Sequence, residues 1–124
     1  MKKITTVLIV DDNMDFAKRI EAYLSEIKKI DFVSIAENYA EAEQMLRLDW
    51  PSVVILDINL PDKSGISLLK HIQQKKINCH VIVLTNHFED TYRKECIENG
   101  ATNFLDKTND FEKVASLVNK LLGE

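Results

Sequence analysis

The chain has 124 residues, 45% of them hydrophobic and 29% charged, with a formal net charge of −4 at neutral pH. That length fits one domain with a single proper core, and the composition is that of a soluble globular chain, not a disordered one. The acidic balance argues against nucleic acid as a direct partner, which needs a basic face, and no apolar run approaches the ~20 residues that span a bilayer.

Met1-Lys2-Lys3 leads into a short apolar segment with no signal-peptide h-region or small-residue cleavage site, so a cytoplasmic location is expected. Ile4 to Val10 reads as the first strand and ends in Asp11-Asp12. Asn13 can cap a helix whose apolar positions Phe16, Ala17, Ile20, Leu24 and Ile27 keep helical spacing, closed by Lys28-Lys29. Phe32 to Ala36 is a weaker strand, expected at or near an edge. Tyr39 to Leu48 is a short helix stopped before Trp50-Pro51, and Trp50 is expected to cap the bottom of the core.

Val53 to Leu56 is a continuous apolar run, the mark of a strand buried on both faces, and Asp57 sits directly at its carboxyl end. A loop punctuated by Pro61 and Gly65 follows, then a helix from Ser64 to about Lys76 with Ile66, Leu69 and Ile72 on one face. Val81 to Leu84 is the fourth strand and ends at Thr85. A helix from about Phe88 to Glu98 stops at Asn99-Gly100, where Gly can take the left-handed position. Thr102 to Asp106 is the fifth strand, ending at Lys107. The last helix is expected from about Asp110 to Leu122, with Asn109 and Glu112 as a capping-box-like start and Phe111, Val114, Val118 and Leu121 as its buried stripe. Cys79 and Cys96 form no CxxC and have no ligand-like neighbours, so both are expected to be free thiols filling small core positions.

Five β–α units in strict alternation predict an α/β fold: a doubly wound, five-stranded parallel sheet with helices on both faces and right-handed crossovers. In such sheets ligands sit beyond the carboxyl ends of the strands. The residues there are Asp11, Asp12, Asp57, Thr85 and Lys107. Three converging acids repel and need protons or a cation, and an all-oxygen donor set suits Mg²⁺. A cation beside a carboxylate, an ammonium and a hydroxyl suits a phosphoryl group, and a carboxylate can be the nucleophile that accepts it. Each residue alone is an ordinary cap, turn former or solvated charge; the joint placement at successive strand ends is what singles them out. Spacing does not say who phosphorylates whom.

Val10-Asp11-Asp12-Asn13, Leu56-Asp57-Ile58-Asn59-Leu60-Pro61 with Gly65, Leu84-Thr85 and Phe104-Leu105-Asp106-Lys107 resemble the receiver (CheY-like) domain of two-component response regulators, over essentially the whole chain, 1–124. The resemblance implies a flavodoxin-like (βα)5 fold with strand order 2-1-3-4-5. It implies Asp57 as phosphoacceptor. Asp12, Asp57 and the main-chain carbonyl of Asn59 would bind Mg²⁺, with Asp11 acting largely through water. Lys107 would pair with a phosphoryl oxygen, Thr85 would hydrogen-bond the phosphoryl group, and Phe104 would change rotamer with it.

The surface of the fourth helix, fifth strand and fifth helix would then carry the signal. The implied partners are a sensor histidine kinase or phosphotransfer protein, a fused or separate effector, and a second copy of the chain on phosphorylation, with no membrane and no nucleic acid bound by this domain. The implied role is a signalling phosphoacceptor that assists its own phosphorylation and dephosphorylation, not a turnover enzyme. The stretch Asp106 to Glu112 is similar to receivers joined to helix-turn-helix domains, so a single-domain regulator and part of a longer one both stand.

Thr108 replaces the proline common after the lysine, which leaves the Lys107–Thr108 isomer open. Asn86 is larger than the small residue usual there and could narrow access to Asp57, while His87 is expected to face solvent. Two alternatives stand beside this reading. A haloacid-dehalogenase-like phosphatase also uses a strand-end Asp, but wants an acid where Asn59 stands. A receiver-like interaction module without phosphorylation would use the fold alone.

Overall fold

The computed structural model describes residues 4–87 and 89–123. Ten elements alternate along the chain: β1 (Thr6–Val10), α1 (Met14–Leu24), β2 (Phe32–Ala36), α2 (Tyr39–Leu48), β3 (Val53–Leu56), α3 (Gly65–Gln74), β4 (His80–Thr85), α4 (Asp90–Glu98), β5 (Asn103–Asp106) and α5 (Lys113–Leu121). The strands form one parallel sheet in the order β2-β1-β3-β4-β5, as expected.

Successive side chains of a strand point to opposite faces, so a strand covered on both sides must be apolar at every position. β1 and β3 show how this divides the core. Val7, Ile9, Val53 and Ile55 pack with Ala17, Ile20 and Leu24 of α1 and Val114 and Val118 of α5. Leu8, Val10, Val54 and Leu56 pack on the other face with Ala42 and Leu46 of α2, Leu68, Leu69 and Ile72 of α3, and Cys96 of α4. Truncating one fully buried residue such as Leu56 would cost about 2–5 kcal/mol. β2, at an edge, is covered less fully, and Phe32 is exposed.

Several ends differ from expectation for local reasons. α1 stops at Leu24, because the Ser25 hydroxyl donates to Ala22 O (2.6 Å) and competes with helix continuation. Ile27 still packs on the core, but from a turn beyond the helix, and Lys28-Lys29 lie outside it. Ser64 is the N-cap of α3, its Oγ accepting the Ile66 N–H. That helix ends before Lys76, which takes the left-handed conformation (φ 55°) while Ile77 N–H donates to Ile72 O and Lys76 N–H to Gln73 O. α4 ends by the same pattern at Gly100 (φ 98°), as the sequence suggested. Its start is Asp90; the expected start at Phe88 lies outside the described residues.

α5 begins at Lys113, not near Asp110, and the Asn109–Glu112 capping box does not form. The Asp106 carboxylate instead accepts the Thr108 N–H and the Asn109 side-chain amide, and the Asp110 carboxylate accepts the Asp106 N–H. These bonds hold 107–112 as turns. Trp50 does not cap the core either. It is 53% exposed and walls a groove of about 320 Å³ with Leu46, Arg47, His71, Lys75 and Ile77. Both cysteines are free, Cys96 buried and Cys79 half-buried against the core. Among the described residues no helix is long and apolar enough to cross a membrane.

Candidate functional site

Among the described residues the buried polar or charged side chains are Asp11, Asp57, Thr85 and Lys107. Each stands at or just past the carboxyl end of its strand: β1, β3, β4 and β5. The sheet carries them there. Asp11 N–H donates to Ala36 O of β2, Asp57 N–H to Val10 O of β1, and Lys107 N–H to Thr85 O of β4. Each backbone is thus held by the neighbouring strand at the last rung of the ladder.

The side chains converge. Lys107 Nζ lies 2.8 Å from Asp11 Oδ2 and 3.0 Å from Asp57 Oδ2. The other oxygen of each acid takes a local N–H: Asp11 Oδ1 from Asn13 (2.9 Å) and Asp57 Oδ1 from Asn59 (3.1 Å). Asp12, exposed, joins Asp11 and Asp57 in a group whose carboxylate oxygens come within 4.8 Å of one another. Burial pushes the Asp11 carboxyl above its usual range, although Lys107 and the Asn13 N–H both oppose it. Burial pulls the Lys107 ammonium down, but the Asp11 and Asp57 carboxylates outweigh it and leave it above its ordinary value. Three acids share one ammonium, so the cluster has negative charge to spare for a hard cation held by oxygen.

Thr85 is fully buried, and its Oγ1 accepts the His87 N–H (3.1 Å). Phe104 lies in the core beside the site, with the Arg93 guanidinium 4.9 Å from its ring centroid and donating to its carbonyl oxygen. Asn86 is exposed, with its Oδ1 3.5 Å from Thr108 Oγ1. It shares a cavity of about 340 Å³ with Lys107, Phe16 and Phe111. His87 does not simply face solvent: it is half-buried with its ring edge-on to Tyr92 at 5.9 Å. No peptide bond among the described residues is cis, Lys107–Thr108 included.

Two residues matter more than their sequence context suggested. Asp62 lies in the loop after Asp57, where the sequence assigns it no role, yet its carboxylate accepts the N–H groups of Tyr39 and Ala40 at the start of α2. Those bonds, the Tyr39 N–H first, hold its pKa below the usual range. They pin the loop after Asp57 to a neighbouring helix, and the one signal for them was an acid free to seek a helix N-terminus. Gly65 comes so close to the Asp57 segment that an added Cβ would stand 2.3 Å from Asp57 O and 2.7 Å from Ile58 Cα. A glycine at the start of a helix gave no hint of that contact.

Residues 7–119 match the family described as response regulator receiver domain. The chain is 34% identical over 114 residues to the sensory transduction protein LytR of Staphylococcus haemolyticus (strain JCSC1435), covering 92% of this chain and 44% of that protein. It is 29% identical over 120 residues to the Fimbriae Z protein of Escherichia coli (strain K12), covering 97% of this chain and 57% of that one. The chain therefore spans about half the length of these curated relatives. Among solved structures, a signal receiver domain from Vibrio parahaemolyticus superposes with a TM-score of 0.89 at 29% identity, covering 97% of this chain and 91% of that one. The Francisella response regulator 1452 receiver domain gives 0.86 at 28% identity, with 95% and 96% covered. The fold, the acids gathered at its strand ends and these likenesses agree: the chain belongs to the receiver domain family of two-component response regulators.

Proposed function

We propose that residues 1–124 form one receiver domain in which Asp57 accepts a phosphoryl group from the phosphohistidine of a sensor histidine kinase or phosphotransfer protein. The observation that carries this is the burial of two acids, one hydroxyl and one ammonium at successive strand ends of an otherwise apolar core. A core has no use for them, since each costs desolvation that packing alone does not return.

A carboxylate oxygen of Asp57 attacks phosphorus, the P–N bond to the imidazole breaks, and an acyl phosphate forms. Lys107, 3.0 Å from Asp57 Oδ2, faces the oxygens on which charge develops. Asp11, Asp12, Asp57 and the main-chain carbonyl of Asn59 are the residues that would hold Mg²⁺, and three acids within 4.8 Å with one ammonium between them fit such an ion. When bound it supplies charge neutralisation at the transferring phosphoryl group. Thr85 exchanges its bond with the His87 N–H for a phosphoryl oxygen, and Phe104 moves into the space vacated. The change reads out on the α4–β5–α5 surface, to a fused or separate effector or a second copy of the chain. The expected setting is the cytoplasm.

The test is incubation with Mg²⁺ and acetyl phosphate, or with beryllofluoride as its mimic, on the wild type and Asp57→Asn. The wild type should gain phosphate and shift its amide resonances around Thr85 and Phe104, while the variant does neither. Equal responses from both, or none from either, would sink the proposal.

A further inference from the structure

The Lys107 ammonium has a third neighbour besides its two carboxylates. It stands over the ring of Phe16, 4.5 Å from the centroid, within the range at which a cation is held by an aromatic face. Phe16 belongs to α1, far from Lys107 in sequence, and its place is set by a closed circuit of contacts. Asn13 N–H donates to Asp11 Oδ1, and Phe16 N–H donates to Asn13 Oδ1 (3.1 Å). The Phe16 ring then meets Lys107 Nζ, which returns to Asp11 Oδ2 at 2.8 Å. Asn13 caps α1 and, by the same bond, fixes the residue that carries the ring.

The ring is also held by other aromatic groups. Phe111 meets Phe16 edge-on at 5.5 Å, and is itself flanked by Tyr23 at 5.1 Å and by the Arg19 guanidinium at 4.3 Å. Phe111 is buried, so this stack is built into the α1–α5 side of the molecule. The edge-on pair with Phe111 accounts for an aromatic ring at this position, and the ammonium adds a demand on the charge of its face. The face turned to an ammonium needs a π-system.

We propose that Phe16 is the positioning residue for Lys107, holding the ammonium over the Asp57 site by its ring face while the acids around it change charge. This rests on the reading of Asp57 as phosphoacceptor. Once Asp57 is an acyl phosphate, the negative charge that drew Lys107 to within 3.0 Å of Oδ2 lies farther out, on the phosphoryl oxygens. Asp11, at 2.8 Å, competes with those oxygens for the ammonium. The ring face is a contact that this chemistry leaves unaltered and that draws the ammonium toward neither acid. It keeps Nζ within reach of the phosphoryl oxygens both before and after transfer.

The test replaces Phe16 with 4-fluoro-, 3,5-difluoro- and 3,4,5-trifluorophenylalanine, which withdraw charge from the ring face in steps with little change in its size. Two quantities are read. The first is the Lys107 ε-ammonium nitrogen resonance by NMR in Mg²⁺-free buffer. The second is the rate of Asp57 phosphorylation by acetyl phosphate with Mg²⁺. The ammonium resonance should move progressively along the series, and the logarithm of the rate should fall in step, by about 3- to 10-fold at trifluoro. Phe16→Leu should lose at least as much, and Phe16→Trp should retain the wild-type rate. A resonance and a rate both flat across the series, with Phe16→Leu phosphorylated as fast as wild type, would overturn the proposal. A resonance that moves while the rate stays flat would overturn its positioning role. If the wild type takes no phosphate at all, the Asp57 reading fails and the positioning role falls with it.

Discussion

Gly65→Ala tests the link between the fold and the site most directly. The added methyl would stand 2.3 Å from Asp57 O, 2.7 Å from Ile58 Cα and 3.0 Å from Asp57 C, all backbone atoms that cannot swing aside as a side-chain tip would. Restoring ordinary contact at ~3.4 Å needs a shift of about 1 Å between the start of α3 and the end of β3. Overpacking of this kind costs roughly 1–3 kcal/mol. The upper half of that range applies, because Gly65 N–H also donates to Ile58 O at 2.8 Å and the shift strains that bond. Against it stands up to ~1 kcal/mol of helix propensity, less at a first helical position. The net expectation is a loss of about 2 kcal/mol, or about 8 °C in the thermal midpoint for a domain of this size. The carbonyl struck first is that of Asp57 itself, and a misplacement near 1 Å at a reacting group can cost ~100-fold. Acetyl phosphate labelling should therefore slow by roughly 10- to 100-fold. Ser64→Ala is the control: it removes the α3 cap, costs about 1 kcal/mol and leaves labelling near wild type. Denaturant melts and labelling rates on both variants decide the matter. A Gly65→Ala protein as stable and as quickly labelled as wild type would refute the close-approach argument.

Two further outcomes follow from the charged and thiol groups. Asp11 has its folded-state pKa raised, with burial the leading cause, so the folded chain binds its proton more tightly than the unfolded chain. That contribution favours folding below the unfolded value near 3.8 and is lost as pH rises through the raised folded value, so at neutral pH Asp11 costs stability. Asp11→Asn, which leaves Lys107 its bond to Asp57, should raise the unfolding free energy in Mg²⁺-free buffer at pH 7 by on the order of 1 kcal/mol. The gain should vanish below pH 4; denaturant melts at both pH values would contradict this if the variant were the less stable at pH 7. Burial pushes the Cys79 and Cys96 thiols up to about 11 from 9.0, so at neutral pH their thiolate fraction falls about 100-fold. Iodoacetamide should label neither at an appreciable rate until the chain unfolds, and rapid native labelling followed by mass spectrometry would count against it.

What the sequence displayed and what it hid divide along physical lines. Val53 to Leu56 and Val81 to Leu84 are legible because a strand buried on both faces must be apolar throughout, and the acids or hydroxyl that end them stand out against that run. Element ends were less legible wherever a side chain competes with the helix for the backbone. The Asp106 and Asp110 carboxylates capture 107–112 as turns, and a reading by cap motif took Asn109 for an acceptor when its amide donates. Lys76 in the left-handed conformation was hidden because a lysine gives no sign of it. The site's members were visible from strand ends, but contacts between distant segments were not. Asp62 reaches α2, Phe16 reaches Lys107 and Gly65 presses on Asp57, and none of these pairs has a spacing that a linear pattern could reveal.

The electrostatics of the cluster explain why such a site persists in a small core. Lys107 makes two short bonds to two buried acids, and Asp12 adds a third negative charge at the rim. Replacing a buried ion pair by well-packed apolar residues is often neutral or stabilising, so the fold would lose little and could gain by giving these groups up. Keeping them leaves an excess of negative charge where four strands end, with buried carboxylates and an ammonium held within about 3 Å of each other. A group that arrives with positive charge, or that spreads negative charge onto Lys107, relieves what the folded chain cannot relieve by itself. The repulsion within the cluster and its attraction for a cation are thus linked, and a change that lowers the first should weaken the second.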